Sequence, residues 1–169
     1  LWSRQHFDIM KPLMQQLANA GQKVITASVM HHPWAGQTED PFDSMVFRMK
    51  KIDGSWVYDY TVFDRWVEFM MSLGIDRQIN CYTLVPWALK FDYYDQATNR
   101  IRFVEAKPGE AAYEDYWFSF LKDFAGHLRQ KGWFEKTTIA MDERGKSMMQ
   151  KAFDLIFRAD AGYKVSGAG

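Results

Sequence analysis

Apolar residues fall at spacings of three and four between Trp2 and Ala20, at Phe7, Met10, Leu13, Met14 and Leu17. That period predicts an amphipathic helix, ended by Gly21 where a left-handed cap is wanted. Pro12 lies inside it and removes a backbone hydrogen bond, so the pattern predicts a kink there or a start near Met10. The run Lys23-Val24-Ile25-Thr26-Ala27-Ser28-Val29-Met30 is apolar on both parities and predicts a strand buried on both faces. A long loop follows, with a hairpin in which Phe47–Ile52 and Trp56–Tyr58 flank the two-residue turn signal Asp53-Gly54. Asp59 or Thr61 then caps a helix carrying Phe63, Trp66, Val67, Met70 and Met71, which Gly74 ends. Gln78–Thr83 reads as the next strand. A second hairpin joins Phe91–Tyr94 to Arg100–Val104. A long helix runs from about Glu110 to Lys131, closed by Gly132, and Thr137–Met141 is a third strand. A helix from about Lys146 to Ala159 and a strand beginning at Lys164-Val165-Ser166 complete the order.

That order is helix, then strand and helix three times, then strand. Strands alternating with helical crossovers predict a parallel sheet wound right-handedly. No glycine-rich dinucleotide loop or P-loop follows any strand, so a nucleotide-binding α/β fold has no support. Strand-to-helix connections are long, at 31–60 and 84–109, while helix-to-strand connections are short. That asymmetry predicts a (β/α)8 TIM barrel with function on the loops at the C-terminal ends of the strands. Four strands are about half of one, so the reading is α/β, a single partial barrel over 1–169 with hairpin insertions. The length of 169 residues agrees with one domain. The opening at Leu1 and the close on Ser166-Gly167-Ala168-Gly169 read as cuts through a larger barrel. Open strand edges then predict a homodimer or higher oligomer, or a poorly stable monomer.

Lys plus Arg equal Asp plus Glu at 21 each, which excludes the basic footprint of a nucleic-acid-binding protein. No apolar run is long enough for a membrane span. The single cysteine, Cys81, rules out an internal disulfide framework and reads as an inert buried thiol. Aromatics are 17% of the chain, which is high enough to need dividing between packing and function. Trp66, Trp117, Phe118, Phe120, Leu121 and Phe124 sit at helical spacing and are assigned to the core.

The strand exits carry the chemistry. They are His31-His32-Pro33-Trp34, then Tyr82 with Val85-Pro86-Trp87, then Asp142-Glu143-Arg144. Adjacent carboxylates point in different directions and can address different atoms of one substrate. Retaining glycosidases with an enzyme nucleophile place their carboxyl groups about 5–5.5 Å apart across the sugar bond, which neighbours in sequence rarely manage. Substrate assistance removes that need, because the sugar's own 2-acetamido oxygen attacks the anomeric carbon. The competing reading of Asp142-Glu143 is acidic decoration of a helix N-terminus. Trp34 and Trp87 are either sugar-stacking platforms or packing under loops. Adjacent histidines do not readily face one ion, and no zinc-protease spacing accompanies them, so no metal is assigned. His31 and His32 are candidates for hydrogen bonds to sugar hydroxyls. No cofactor is called for.

The runs HHPWAGQTEDPFDSMVFRMKKIDGSWVYDYTVFDRWVEFMMSLGI, INCYTLVPW and TTIAMDERG resemble the barrel domain of family 123 glycoside hydrolases, a family found in bacteria, over essentially the whole chain. The resemblance implies retaining β-N-acetylgalactosaminidase activity by the substrate-assisted route, on oligosaccharides derived from glycosphingolipids or other glycans. It implies that Asp142 stabilises the oxazolinium-like intermediate and that Glu143 is acid, then base. Arg144, His31, His32, Trp34, Tyr82 and Trp87 would contact substrate. It further implies an N-terminal β-sandwich and further barrel strands beyond this sequence, and export to the periplasm or cell surface. A glycan-binding module without turnover and a self-associating structural fragment are the alternatives.

Overall fold

The structure is a computed structural model that describes residues 1–39 and 42–167. Asp40 and Pro41 in the first long loop, and Ala168 and Gly169 at the expected cut, lie outside the described residues. Eight strands and four α-helices follow in the order α1 (Arg4–Asn19), β1 (Val24–Ser28), β2 (Phe47–Lys50), β3 (Trp56–Asp59), α2 (Thr61–Ser72), β4 (Gln78–Tyr82), β5 (Lys90–Asp95), β6 (Arg100–Glu105), α3 (Ala111–Gln130), β7 (Thr137–Met141), α4 (Lys146–Ala159) and β8 (Lys164–Gly167). A short 3-10 turn, Phe134–Lys136, leads into β7.

The principal sheet has the order β1-β4-β7-β8, and every pair is parallel. Sequential strands lie side by side with helical crossovers between them, as in a segment of a (β/α) barrel. One face of this sheet is apolar. Ile25, Ala27, Ile79, Cys81, Ile139 and Met141 are buried there. The other face is polar: the Asn80 side-chain carbonyl accepts from Gln78 Nε2 at 2.6 Å and from Thr138 Oγ1 at 2.7 Å, and Thr138 meets the Ser166 hydroxyl at 3.3 Å. The expectation that the first strand is buried on both faces is therefore corrected. Thr26 is exposed between buried Ile25 and Ala27, because it pairs with Asn80 and its side of the strand belongs to this polar face. The centre of the sheet is different, with all five residues of β7 buried.

Two hairpins rise from the strand-to-helix connections, as expected, but they do not stand alone. Strand β2 pairs in parallel with β5 through Met49–Tyr94 and Lys50–Asp95, so the hairpins fuse into one sheet of order β3-β2-β5-β6. The first turn is also longer than Asp53-Gly54 suggested. Lys50 pairs with Trp56, which leaves residues 51–55 as the loop. Gly54 adopts φ +83° and donates to Lys51 O at 2.9 Å, while the Asp53 carboxylate accepts from Ser55 N and Oγ at 2.9 and 2.6 Å. The glycine supplies the left-handed residue that closes the longer loop.

Helix α3 ties the two sheets together. Tyr113, Trp117, Phe120, Leu121, Phe124 and Leu128 recur at three and four residues and are buried. Trp117 packs edge-on to Phe91 of β5 at 5.3 Å and to Phe120 at 5.6 Å between ring centroids. Tyr58 of β3 shares a 2.5 Å hydrogen bond with Ser119, and burial pushes its phenol up to about 12. Of the residues assigned to the core, Trp66 and Phe118 are half-buried rather than buried. The Trp66 indole N–H donates to Thr26 O at 2.8 Å, which explains why its ring stays at the edge of α2.

Two helix ends differ from expectation. Helix α1 runs without interruption through Pro12 and begins at the Ser3 cap, whose hydroxyl accepts from His6 N. Its first turns therefore form despite the hydrogen bond that Pro12 cannot donate. No α1 residue is buried; Phe7 reaches Phe69 at 4.9 Å, while Leu13 and Leu17 are exposed. In α2 the cap position is Tyr60, without a side-chain cap, and Asp59 instead accepts from Thr61 N at 2.8 Å.

At the far end of the helices, Arg129 donates to both carboxylate oxygens of Asp160, at 2.6 and 3.0 Å. The guanidinium, first, holds the Asp160 carboxyl below the usual carboxylate range. A depressed folded pKa contributes stability at pH above the unfolded value, lost as pH falls through the folded one. Asp160→Asn is thus expected to lower the urea midpoint at pH 7. The difference from the parent should shrink below about pH 4. A pH-independent difference in urea titrations would overturn this assignment.

No helix of the described residues is long and apolar enough to cross a membrane.

Candidate active site

The C-terminal ends of β1, β4 and β7 lie side by side, because Ser28 pairs with Tyr82 and Tyr82 with Ala140. The side chains that the sequence singled out at these exits therefore start from one edge of one sheet. They form three local groups.

The first group is built on the exit of β7. Asp142 Oδ2 accepts from the Trp87 indole Nε1 at 2.8 Å, and Asp142 Oδ1 accepts from the backbone N–H of Glu143 at 2.9 Å. Both oxygens thus carry a donor, and the carboxylate plane is set by the β4 loop on one side and its own backbone on the other. The Arg144 guanidinium lies 4.4 Å from the Trp87 ring centroid and reaches the Met148 sulfur at 3.8 Å. Trp87 is 45% exposed, so one part of the side chain is engaged by Arg144 and Asp142 while the rest faces solvent. Glu143 is exposed, and its carboxylate accepts no hydrogen bond from another described residue. Asp142 is half-buried beside it. One carboxylate is oriented and its neighbour is open to solvent.

The second group joins Trp34 to Tyr82. Their ring centroids are 5.5 Å apart at 45°, and Phe42 stands edge-on to Trp34 at 5.3 Å. Trp34 is half-buried. Packing under a loop and presentation at the rim are therefore both true of it, on different parts of the ring.

The third group is the histidine pair, with ring centroids 4.2 Å apart. His31 Nδ1 pairs with Asp43 Oδ1 at 2.9 Å, and the His32 backbone donates to Phe42 O at 2.8 Å. His32 holds φ +50° and Leu89, just past Trp87, φ +46°. Ala35, beside Trp34, adds φ +44°, and left-handed backbone at these three non-glycine residues on this rim is strain that the surrounding loops maintain. The structure brings His31 towards the hairpin sheet, 6.3 Å from Phe103, rather than towards Asp142.

Sequence reading missed Asp43 and Phe42, which position His31 and Trp34 from within an irregular loop that has no periodicity to betray them. It also missed the polar ladder of Asn80, Thr138 and Ser166. A signal for that ladder existed in the polar alternation Gln78, Asn80, Tyr82. Cys81, on the opposite parity, is buried, and burial pushes its thiol up, as expected of an inert core cysteine.

The family model described as glycoside hydrolase 123, catalytic domain, matches residues 1–169. The chain belongs to glycoside hydrolase family 123. A solved family 123 glycoside hydrolase from Clostridium perfringens, described with the details of its glycolipid glycan hydrolysis, superimposes on it with a TM-score of 0.92 at 32% sequence identity. The match covers 99% of this chain and 30% of that enzyme's chain, so this chain spans about a third of the family 123 structure it resembles. No curated protein matches it. Membership makes this a glycoside hydrolase domain of partial-barrel architecture.

Proposed function

We propose that the domain supplies the catalytic pair of a retaining β-N-acetylgalactosaminidase that works by substrate assistance. The observation that carries this reading is the fixed carboxylate of Asp142, held by Trp87 Nε1 at 2.8 Å and by Glu143 N at 2.9 Å, next to the unengaged carboxylate of Glu143. In the first step the 2-acetamido oxygen of the substrate attacks the anomeric carbon, and the exocyclic C–O bond breaks. Glu143 gives its proton to the departing oxygen. Asp142 accepts a hydrogen bond from the acetamido N–H and balances the positive charge of the oxazolinium ring. Water then attacks the same carbon as Glu143 takes its proton, and the ring reopens to the acetamide. Two inversions give net retention. Trp34, Tyr82 and Trp87 offer ring faces to the apolar C–H surface of the sugar, and His31, His32 and Arg144 offer hydrogen bonds to its hydroxyls. The glycolipid-glycan activity of the Clostridium perfringens relative supports a glycan substrate for this chain as well.

The test uses the full-length protein, a chromogenic β-N-acetylgalactosaminide and a thiazoline analogue of the oxazoline. We expect release of the β-anomer first, read by NMR, and strong inhibition by the thiazoline. Release of the α-anomer, or indifference to the thiazoline, would count against substrate assistance. Saturable glycan binding with no turnover would favour the non-catalytic module.

A further inference from the structure

The turn between β6 and α3 and the start of α4 meet in a hollow of about 440 Å³, a volume within the range of ligand pockets. Three lysines line it: Lys107, Lys146 and Lys151. Ser147 and Met148 stand among them, and no acidic side chain of the described residues joins the lining. In a chain with 21 basic and 21 acidic residues, that is a local separation of charge.

The three ammonium groups are also uncompensated. None has an ion-pair or hydrogen-bond partner among the described residues, whereas Lys50, Lys131 and Lys164 reach carboxylates at 3.0, 2.7 and 3.0 Å. The acids that flank Lys107 are already committed. Glu105 Oε1 meets Lys90 Nζ at 3.4 Å, and Glu110 Oε2 accepts from the Lys107 backbone N–H at 2.8 Å. Lys146 opens α4, whose first turn holds no acid, and a cation there opposes the helix dipole. The Lys151 stem lies against the backbone of Gly109: a Cβ at 109 would stand 2.9 Å from its Cδ and 3.4 Å from its Nζ. Glycine at that position leaves the space this lysine fills.

Three cations gathered against their mutual repulsion are stabilised by an anion. Without a carboxylate the hollow offers nothing to a hard metal ion. Lysine ammoniums are compact charges with rotating donors rather than a planar fork, so they do not select a two-oxygen carboxylate. Sulfate or phosphate, even as a monoester, presents three free oxygens, one for each ammonium, and the Ser147 hydroxyl is a further donor. We infer that the hollow binds such a tetrahedral oxyanion, free or as a monoester, at a site separate from Asp142 and Glu143. The two sites are neighbours. Gly145, two residues past Glu143, lines the hollow, and Met148 in its wall accepts from Arg144 Nη2 at 3.8 Å.

The experiment uses the full-length protein, isotope-labelled at its methionine methyl groups, so that Met148 reports by NMR from inside the hollow. The signal lost in Met148→Leu assigns it. Sodium sulfate, sodium phosphate and a galactose sulfate are titrated at constant ionic strength, with chloride and acetate as controls. A saturable shift of the Met148 signal is expected with the tetrahedral oxyanions and not with chloride. Acetate should bind more weakly, and acetate binding as tightly would overturn the assignment. A tighter response to the galactose sulfate than to the inorganic ions identifies an ester-borne group, an equal one the free ion, and either supports the site.

Lys107→Gln, Lys146→Gln and Lys151→Gln break no ion pair, and circular dichroism checks that the fold persists. Each is expected to weaken binding about two- to fivefold, and the triple variant to lose the saturable shift. Lys122→Gln removes the same charge outside the hollow and should bind like the parent. No saturable shift, a shift that survives the triple substitution, or an equal loss from Lys122→Gln would overturn the site. Lysine-dependent adsorption to phosphatidylserine vesicles, without a Met148 response to the small oxyanions, would reassign the patch to a membrane surface and overturn it too. The readout is binding alone, so a protein that binds the oxyanion but hydrolyses no glycoside would refute the hydrolase mechanism and leave this site standing.

Discussion

Glu143→Gln in the full-length protein is expected to reduce kcat on an oligosaccharide substrate by about 10²–10⁴-fold, the contribution of a positioned general acid. Glutamine keeps the size and the hydrogen-bonding reach of the side chain but has no proton to give. The loss should depend on the leaving group. A sugar alkoxide needs protonation as the C–O bond breaks, whereas a nitrophenolate leaves with little help. The ratio of mutant to parental kcat should therefore be larger for the aryl glycoside in the bond-breaking step. Asp142→Asn makes a different prediction. Its carboxylate receives Trp87 Nε1 and Glu143 N at 2.8 and 2.9 Å, and in the proposed mechanism that fixed charge faces the cationic ring. Neutralising it should weaken thiazoline binding as well as turnover, while Glu143→Gln should spare most of that binding. Steady-state rates on both substrates, together with thiazoline inhibition constants, distinguish the roles. Identical patterns from the two variants would refute the division of labour.

Trp117→Ala is expected to destabilise the fold by about 3–5 kcal/mol. Trp117 is fully buried and meets Phe91, Tyr116 and Phe120 at centroid distances of 5.3, 5.1 and 5.6 Å. The Arg48 guanidinium lies 5.1 Å from the same ring. Truncation leaves a cavity among rigid rings and removes a π face from a buried cation, and neither can be repaired by small shifts. For a chain of this size the melting temperature should fall by about 10 °C. Trp117→Phe is the informative control. The indole Nε1 is buried without a partner among the described residues, so phenylalanine gives up little hydrogen bonding. We expect it to cost less than about 1.5 kcal/mol. Urea titrations with an unchanged m-value measure both. A loss below about 1 kcal/mol for Trp117→Ala would mean that the α3 aromatic cluster is not packed as described.

Regular elements were legible where one period dominated. The three- and four-residue spacing of Tyr113 to Leu128 specifies a helix with one buried face whatever it packs on. The strand Thr137–Met141 and the helix Lys146–Ala159 match their predicted bounds. The strand exits were legible too, because crossover handedness leaves little freedom in where a βαβ unit sends its loops. Less legible were the features that depend on who stands opposite. Thr26 is exposed because it lies on the polar face beside Asn80, and its own sequence is equally suited to a strand buried on both faces. The loop at 51–55 is set by the Lys50–Trp56 pairing, a choice of register that Asp53-Gly54 alone does not make.

The candidate site divides along the same line. The sequence by itself determined the parallel order of strands and the placement of Asp142, Glu143, Tyr82 and Trp87 at their exits. Local periodicity and adjacency carry that information, and tertiary contacts do not alter it. Only the tertiary structure decided that Trp87 reaches across to Asp142 over 55 positions of chain, that the two hairpins join through β2 and β5, and that His31 faces Phe103. Those are pairings between segments far apart in sequence. Each segment alone fits several partners, and the competition for burial and hydrogen bonds selects among them when the whole chain folds.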